Sequence, residues 1–446
     1  MLNLFSFTVF CSGVLIFESL LTRIYPLVVG PPRLYSILIF ITLVLFFSLS
    51  TYIFLRFSKE KKYFPQQSKQ STHSKGLFIP ILLVQLLIIS LFVITSIQLL
   101  VYGSYHTILI SLIVYLSSIA GLGYLIFISY QFIRWFTLNK KYVLVMYGIG
   151  FSLLAITIAN SLLYLTFEIS IYDPVLRLRN IHSQLMDDPS PTSQMVMIGN
   201  LYNYVSASSF VLIWIPTVYL LRTYYSKFSK IKYGIIVTIP ILFYLFPLIV
   251  DQLDLFGNLR LEYGNTFDFY YTIFFSPYKQ VGGLLFGLVF WLTSTRIKRE
   301  NLQVLLQNAS IGVILIFGTT VLYGLDAIIA PPFGIITISF VGMASYLLST
   351  GIFYTASYIA RDSVTRVTLH KIMRDQIDLL NNASLAERQK LLNKNVKDAL
   401  FKVKDFEVPV SQYQEEEKEL SKMVEEVLDE VNASRRDKKS SNVGGR

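Results

Sequence analysis

The chain has 446 residues, of which 53% are hydrophobic and only 15% charged, with a mean hydropathy of +0.54. The net charge of +11 falls almost entirely on residues 1–360, in short stretches between apolar segments, because residues 361–446 carry nearly equal numbers of basic and acidic side chains. A soluble domain carries about 25% charged residues, so these values exclude a water-soluble, disordered or collagenous protein and predict an all-α polytopic membrane bundle. They also argue against a nucleic-acid partner and predict that the chain lies in a lipid bilayer.

Ten segments are apolar and long enough to cross a bilayer, whose core of ~30 Å needs about 20 helical residues. They cover residues 3–21, 35–55, 77–101, 107–133, 142–166, 204–221, 233–250, 273–295, 307–328 and 334–359. If the first segment lies in the interface instead, nine spans remain and the N-terminus faces outward. Glu18 and Arg23 are near the predicted outer end of that segment, where we expect water to reach them. Glycines within the spans are predicted to be helix-packing positions, namely Gly121, Gly123, Gly282, Gly283 and Gly287.

The basic residues predict the orientation of these spans. Loops 56–76, 134–141, 222–232 and 296–304 alternate on one side and carry sixteen Lys and Arg residues, against six on the other side. Because cytoplasmic loops are enriched in Lys and Arg, both termini are predicted to be cytoplasmic, in a plasma membrane. The predicted outer loops include 167–203 and 251–268, which are rich in acids.

A cytoplasmic tail is predicted to follow the membrane domain, with residues 1–360 in the membrane, 361–433 in amphipathic helices and 434–446 disordered. The first tail helix continues the last span, the second starts at a capping box from Ser384 to Glu387, and the third starts at Ser411. The third helix carries a narrow apolar stripe, Leu420, Val424, Val427, Leu428 and Val431. An isolated helix with such a stripe is marginal in water, so we expect it to pack within the tail, to self-associate or to bind another protein.

No catalytic motif is present. The four histidines lie in separate regions, no nucleotide-binding loop is found, and Cys11 is the only cysteine, which excludes an intrachain disulfide and a cysteine-based zinc site. The sequence therefore predicts a protein that is not an enzyme and has no cofactor. The ionisable residues Glu18, Lys279 and Asp326 fall near predicted outer ends, and their absence from mid-depth argues against a carrier.

The outer acidic loops are the candidate ligand site. Loop 167–203 carries Glu168, and the candidate residues are Asp173, His182, Asp187 and Asp188, joined by Asp254 from the next outer loop. Together they are predicted to bind a small cation or a cationic ligand, but no defined metal-site spacing is present. The alternative is an ordinary solvated loop.

The junction between the last span and the tail carries a resemblance. Residues 349–362 read STGIFYTASYIARD, and the tail closes on EEVLDEV at 425–431. This pattern resembles uncharacterised polytopic membrane proteins of ammonia-oxidising archaea, mainly over the last quarter of the chain. The resemblance implies an archaeal plasma membrane and carries over no functional residue.

Three functions fit these features. The first, which the sequence favours, is a sensor or signalling adaptor in which the last span and the tail transmit a signal from the outer loops. The second is a transporter or channel, and a polar pocket at mid-depth would favour it. The third is a scaffold or accessory subunit of a membrane complex.

Overall fold

A computed structural model describes residues 4–24, 33–59, 70–140, 142–172, 178–180, 193–221, 230–253, 278–295, 300–319 and 331–361, isolated positions between 255 and 274, and Glu387. The chain divides into two compact units, residues 1–388 and 389–446. All described residues belong to the first unit. The predicted domain boundaries at 360 and 433 stay a prediction.

The described part of the chain is almost entirely helical. The helices are α1 (Leu4–Ile24), α2 (Arg33–Lys59), α3 (Gln70–Tyr102), α4 (Thr107–Asn139), α5 (Tyr142–Tyr172), α6 (Ser193–Leu221), α7 (Lys230–Leu253), α8 (Tyr278–Thr295), α9 (Glu300–Thr319), α10 (Ile335–Ser339) and α11 (Val341–Arg361). Two short antiparallel strands, β1 (Ser104–His106) and β2 (Leu178–Asn180), pair with Tyr105 opposite Arg179. This architecture confirms the predicted all-α fold.

Seven helical stretches within the described residues are long and apolar enough to cross a membrane. They are Leu34–Phe57, Leu77–Tyr102, Thr107–Leu138, Tyr142–Ile169, Ser193–Val218, Leu302–Thr319 and Ile335–Tyr358. Shorter apolar stretches lie in α1 (Ser6–Thr22) and α7 (Tyr233–Phe246). Outward-facing side chains such as Leu45, Leu86 and Ile126 are more than half exposed, as expected of surfaces that face lipid. The chain is thus a multi-pass membrane protein, while the count of ten spans and the orientation stay predictions.

Helices α9 and α11 form the centre of the bundle and touch backbone to backbone. Gly312 of α9 faces the backbone of Leu348, and Gly351 of α11 faces the backbone of Ala309. On the other side of α9, Gly283 of α8 packs against Phe317. Small residues permit this close approach, so the predicted packing role of the glycines in α8 is confirmed. The same prediction was wrong for Gly123 of α4, which has no neighbour within 4 Å of a Cβ position.

One predicted loop is shorter than expected. Helix α5 continues to Tyr172 and α6 begins at Ser193, so helices occupy both ends of the predicted loop 167–203. Glu168 therefore lies inside α5, where it is fully buried, and its assignment to the outer loop was wrong. An apolar helix accommodates one acidic side chain when the surrounding bundle encloses it.

Candidate functional site

The last predicted span is a discontinuous helix. Its first part, α10, has five residues, all of them buried, and the chain turns at Phe340 before α11 begins. Gly334 precedes α10 with φ of 90°, a left-handed conformation that favours glycine. A Cβ atom on Gly334 would also lie 2.9 Å from Thr22 Oγ1 of α1. The predicted span 334–359 agrees with the apolar stretch Ile335–Tyr358, in which the regular helical pattern is interrupted at Phe340.

Glu18 of α1 caps the N-terminus of α10. Its Oε1 accepts hydrogen bonds from the backbone N–H groups of Gly334 at 2.9 Å and Ile336 at 3.1 Å. Its Oε2 accepts from the backbone N–H of Thr337 at 2.7 Å and from the Thr337 hydroxyl at 2.6 Å. The first N–H groups of a helix lack partners within it, and a carboxylate satisfies them well. Glu18 is fully buried, so the expectation that water reaches it was wrong.

Ser117 of α4 holds the other end of α10. Its Oγ lies 2.9 Å from the carbonyl oxygen of Ile338 and 3.0 Å from that of Ser339, so its one hydrogen is shared between them. The same Oγ accepts a hydrogen bond from the N–H of Gly342 at 3.2 Å. One hydroxyl group thus satisfies backbone groups on both sides of the turn at Phe340, which the broken helix leaves without regular partners.

A cavity lies beside this turn, and five of the eight residues that line it carry a hydroxyl group, although most of the lining surface is apolar. Ile338 and Val341, on either side of the turn, form one wall. The hydroxyl-bearing side chains come from four other helices and are Ser118, Thr157, Ser161, Tyr202 and Thr319. Thr157 is the middle residue of α5, so the cavity reaches the mid-depth of the bundle. The cavity is narrow and has room for about one water molecule.

The charge of the lining decides what this cavity can hold. Among the described residues that line it, none is ionisable apart from Tyr202. Thr157 donates its hydroxyl hydrogen to the carbonyl of Leu153 at 2.9 Å, which leaves its oxygen able to accept. Thr319 likewise donates its hydroxyl hydrogen to the carbonyl of Ile316. The site therefore offers hydroxyl oxygens that can accept hydrogen bonds and carries no fixed charge, which suits a neutral polar molecule better than an ion.

The tail touches the bundle at one described position. Nε1 of Trp135, near the end of α4, donates a hydrogen bond to Oε2 of Glu387 at 3.2 Å, and both residues are buried. Trp135 also packs edge-to-face on Phe132, with ring centroids 5.3 Å apart, and Phe132 stacks on Tyr147 of α5. Glu387, predicted to complete a capping box, thus has a partner in the membrane domain of the same chain.

The residues that the sequence singled out for ligand binding and tail docking lie outside the described residues. These are Asp173, His182, Asp187, Asp188 and Asp254 of the outer loops and Leu420, Val424, Val427, Leu428 and Val431 of the tail stripe. Both sites stay predictions. In the part of the chain that the structure describes, no group of three or more His, Cys, Asp and Glu side chains is placed to hold a metal ion.

Sequence reasoning missed the residues that form the broken helix and the cavity. The signal for Glu18 was present, since a lone acid in an apolar segment usually has a defined partner. The hydroxyl groups gave no signal, because serine and threonine are common in membrane helices, where they bond to the carbonyl four residues earlier. Thr157 makes such a bond and still lines the cavity.

Comparison with protein-family models, with curated proteins and with solved structures finds no match to this chain. The resemblance to membrane proteins of ammonia-oxidising archaea therefore stays a prediction.

Proposed function

We propose that the protein is a transporter or channel for a small neutral polar solute. The observation that supports this proposal is the hydroxyl-lined cavity beside the turn at Phe340, inside a bundle of membrane-length helices. Irregular backbone at membrane depth is tolerated where it is enclosed by protein or lines a cavity. In many transporters, discontinuous helices form the substrate site near the middle of the membrane.

The lining supports a neutral solute over an ion. An ion that enters must lose hydration, and neutral hydroxyl groups compensate that loss poorly. A molecule that donates hydrogen bonds fits the hydroxyl oxygens of Thr157 and Thr319, which can still accept them. The narrowness of the cavity supports a solute close to water in size, with the structure in a closed state.

Flux into proteoliposomes tests this proposal. The purified protein is reconstituted, and light scattering after an osmotic step measures the entry of water, glycerol and urea. We expect entry of at least one of these solutes to exceed that into empty liposomes. Flux no greater than into empty liposomes, for all three, would refute the proposal.

Two threonine variants test whether the solute passes through the cavity. Thr157→Val removes a hydroxyl from the cavity with little change in volume, and we expect it to reduce flux several-fold. Thr42→Val is the control, because Thr42 also bonds to the carbonyl four residues earlier but is exposed on the outer surface of α2. Equal flux in the two variants would mean that the solute does not pass Thr157.

A sensor or signalling adaptor is the second candidate, supported by the bond between Trp135 and Glu387, which links the bundle to the start of the tail. In this proposal, a cation that binds at the outer acidic loops changes the conformation of the bundle, and this change alters the conformation of the tail. A thermal-shift screen of divalent cations, ammonium and small amines tests it, because a bound ligand raises the apparent stability. We expect Asp187→Asn with Asp188→Asn to weaken any shift, and the absence of a shift in the parent protein would remove this proposal.

A further inference from the structure

We propose that α10 is a lid over the hydroxyl-lined cavity and that Glu18 is the latch that holds this lid closed. The proposal assigns α1, the helix that carries Glu18, a role in controlling access to the cavity. The role of the lid in transport rests on the proposed function. The position of the lid, however, can be tested without any flux measurement.

The lid separates the latch from the cavity. Glu18 binds the first turn of α10, at Gly334, Ile336 and Thr337. The next residue, Ile338, lines the cavity, and so does Val341 after the turn. A movement of α10 away from its present place therefore changes the wall of the cavity directly.

The two ends of α10 are suited to act as hinges. Gly334 takes a left-handed conformation at one end. At the other end, near Phe340, the helical hydrogen bonds are interrupted and the N–H of Gly342 bonds to Ser117 Oγ instead. Hinge positions are a few residues at the ends of elements that absorb changes of backbone angle. The five residues between them form one helical turn that can move as a unit.

The latch has a simple chemical basis. All four hydrogen-bond donors recorded for the Glu18 carboxylate belong to the segment 334–337, whereas Glu18 itself belongs to another helix. If α10 moves away, a buried carboxylate and three backbone N–H groups lose their partners together, which is unfavourable until water replaces them. The closed position is therefore favoured for as long as Glu18 keeps these four hydrogen bonds.

Ser117 provides a weaker hold at the other end. Its contacts to the Ile338 and Ser339 carbonyls are those of a neutral hydroxyl group. Hydrogen bonds to a charged group are about twice as strong as bonds between neutral groups. Loss of the Glu18 charge is therefore expected to open the lid more than loss of the Ser117 hydroxyl.

A cysteine in the cavity reports the position of the lid. Because Cys11 is the only native cysteine, Cys11→Ser gives a background without thiols, and Ser161→Cys then places one thiol in the cavity. The rate of reaction with a small methanethiosulfonate reagent is measured on the full chain in detergent and in liposomes. In the closed state this reaction is expected to be slow.

Glu18→Gln is the decisive variant. If the glutamine NH2 group takes the place of Oε2, it faces the backbone N–H of Thr337 and that bond is lost, whereas the Thr337 hydroxyl can turn and accept from it; the bonds that remain are to a neutral group and therefore weaker. We expect the thiol to react about tenfold faster, as the loss of one to two net hydrogen bonds predicts. Glu262→Gln is the control at an exposed glutamate and is expected to leave the rate unchanged.

A second variant covers the case in which Glu18→Gln fails to fold. Thr337→Val removes only the hydroxyl donor and keeps the side-chain volume, and we expect a smaller but measurable acceleration. An unchanged rate in a variant that elutes as a folded monodisperse protein would overturn the lid. A faster rate without solute flux in any variant would support the lid and refute the transport function, so the two proposals fail separately.

Discussion

The contact between α9 and α11 predicts opposite effects for the same substitution at two glycines. An alanine Cβ at Gly312 would lie 2.6 Å from the Cα of Leu348 and even closer to its backbone nitrogen. An alanine Cβ at Gly123 of α4 meets nothing within 4 Å. Gly312→Ala must therefore push two central helices apart, whereas Gly123→Ala adds a methyl group to an open surface.

The magnitude follows from the distances. An ordinary van der Waals contact begins near 3.4 Å, so α9 and α11 must separate by about 1 Å, which close-packed interiors resist. Overpacking typically costs 1–3 kcal/mol, and we expect the upper end because backbone atoms cannot change rotamer. Alanine gains about 1 kcal/mol over glycine in a helix. The net expectation is a loss of about 2 kcal/mol for Gly312→Ala and a gain of up to ~1 kcal/mol for Gly123→Ala.

Thermal unfolding of the purified protein in detergent, followed by circular dichroism, measures this difference. We expect a lower midpoint for Gly312→Ala and an unchanged or higher midpoint for Gly123→Ala. If both variants unfold at the midpoint of the parent, α9 and α11 do not touch through their backbones, and the packing described for the centre of the bundle is wrong.

Three further predictions concern single contacts. Ser117→Ala leaves the N–H of Gly342 without its partner, so we expect a loss of about 1–3 kcal/mol in the same unfolding assay; an unchanged midpoint would mean that water replaces the hydroxyl. Trp135→Phe keeps an aromatic ring but removes the N–H donor to Glu387, so trypsin should cleave faster after the next residue, Arg388. Equal cleavage would show that the bond does not hold the tail. Val424→Asp puts a charge into the predicted apolar stripe, so the tail should lose helicity or self-association; unchanged circular dichroism and sedimentation would show that the stripe has no partner.

The sequence alone was sufficient for the class of fold and for part of its packing. Long apolar runs predict membrane helices because the backbone must satisfy its own hydrogen bonds in lipid, and the described helices agree with that. The glycines at 283 and 287 were also predictable packing positions, since a residue without a side chain in an apolar helix most often allows close approach. These inferences succeed because each depends on properties of one segment.

Only the tertiary structure decided where the polar groups meet. The sequence could not show that Glu18 accepts hydrogen bonds from the start of α10, because the donors lie more than 300 residues away along the chain. The turn at Phe340 interrupts an apolar run that contains no proline after Pro332, and the hydroxyl groups of the cavity come from separate helices. Local periodicity reports which face of a helix is apolar, but it does not report which distant backbone group a buried carboxylate or hydroxyl will find.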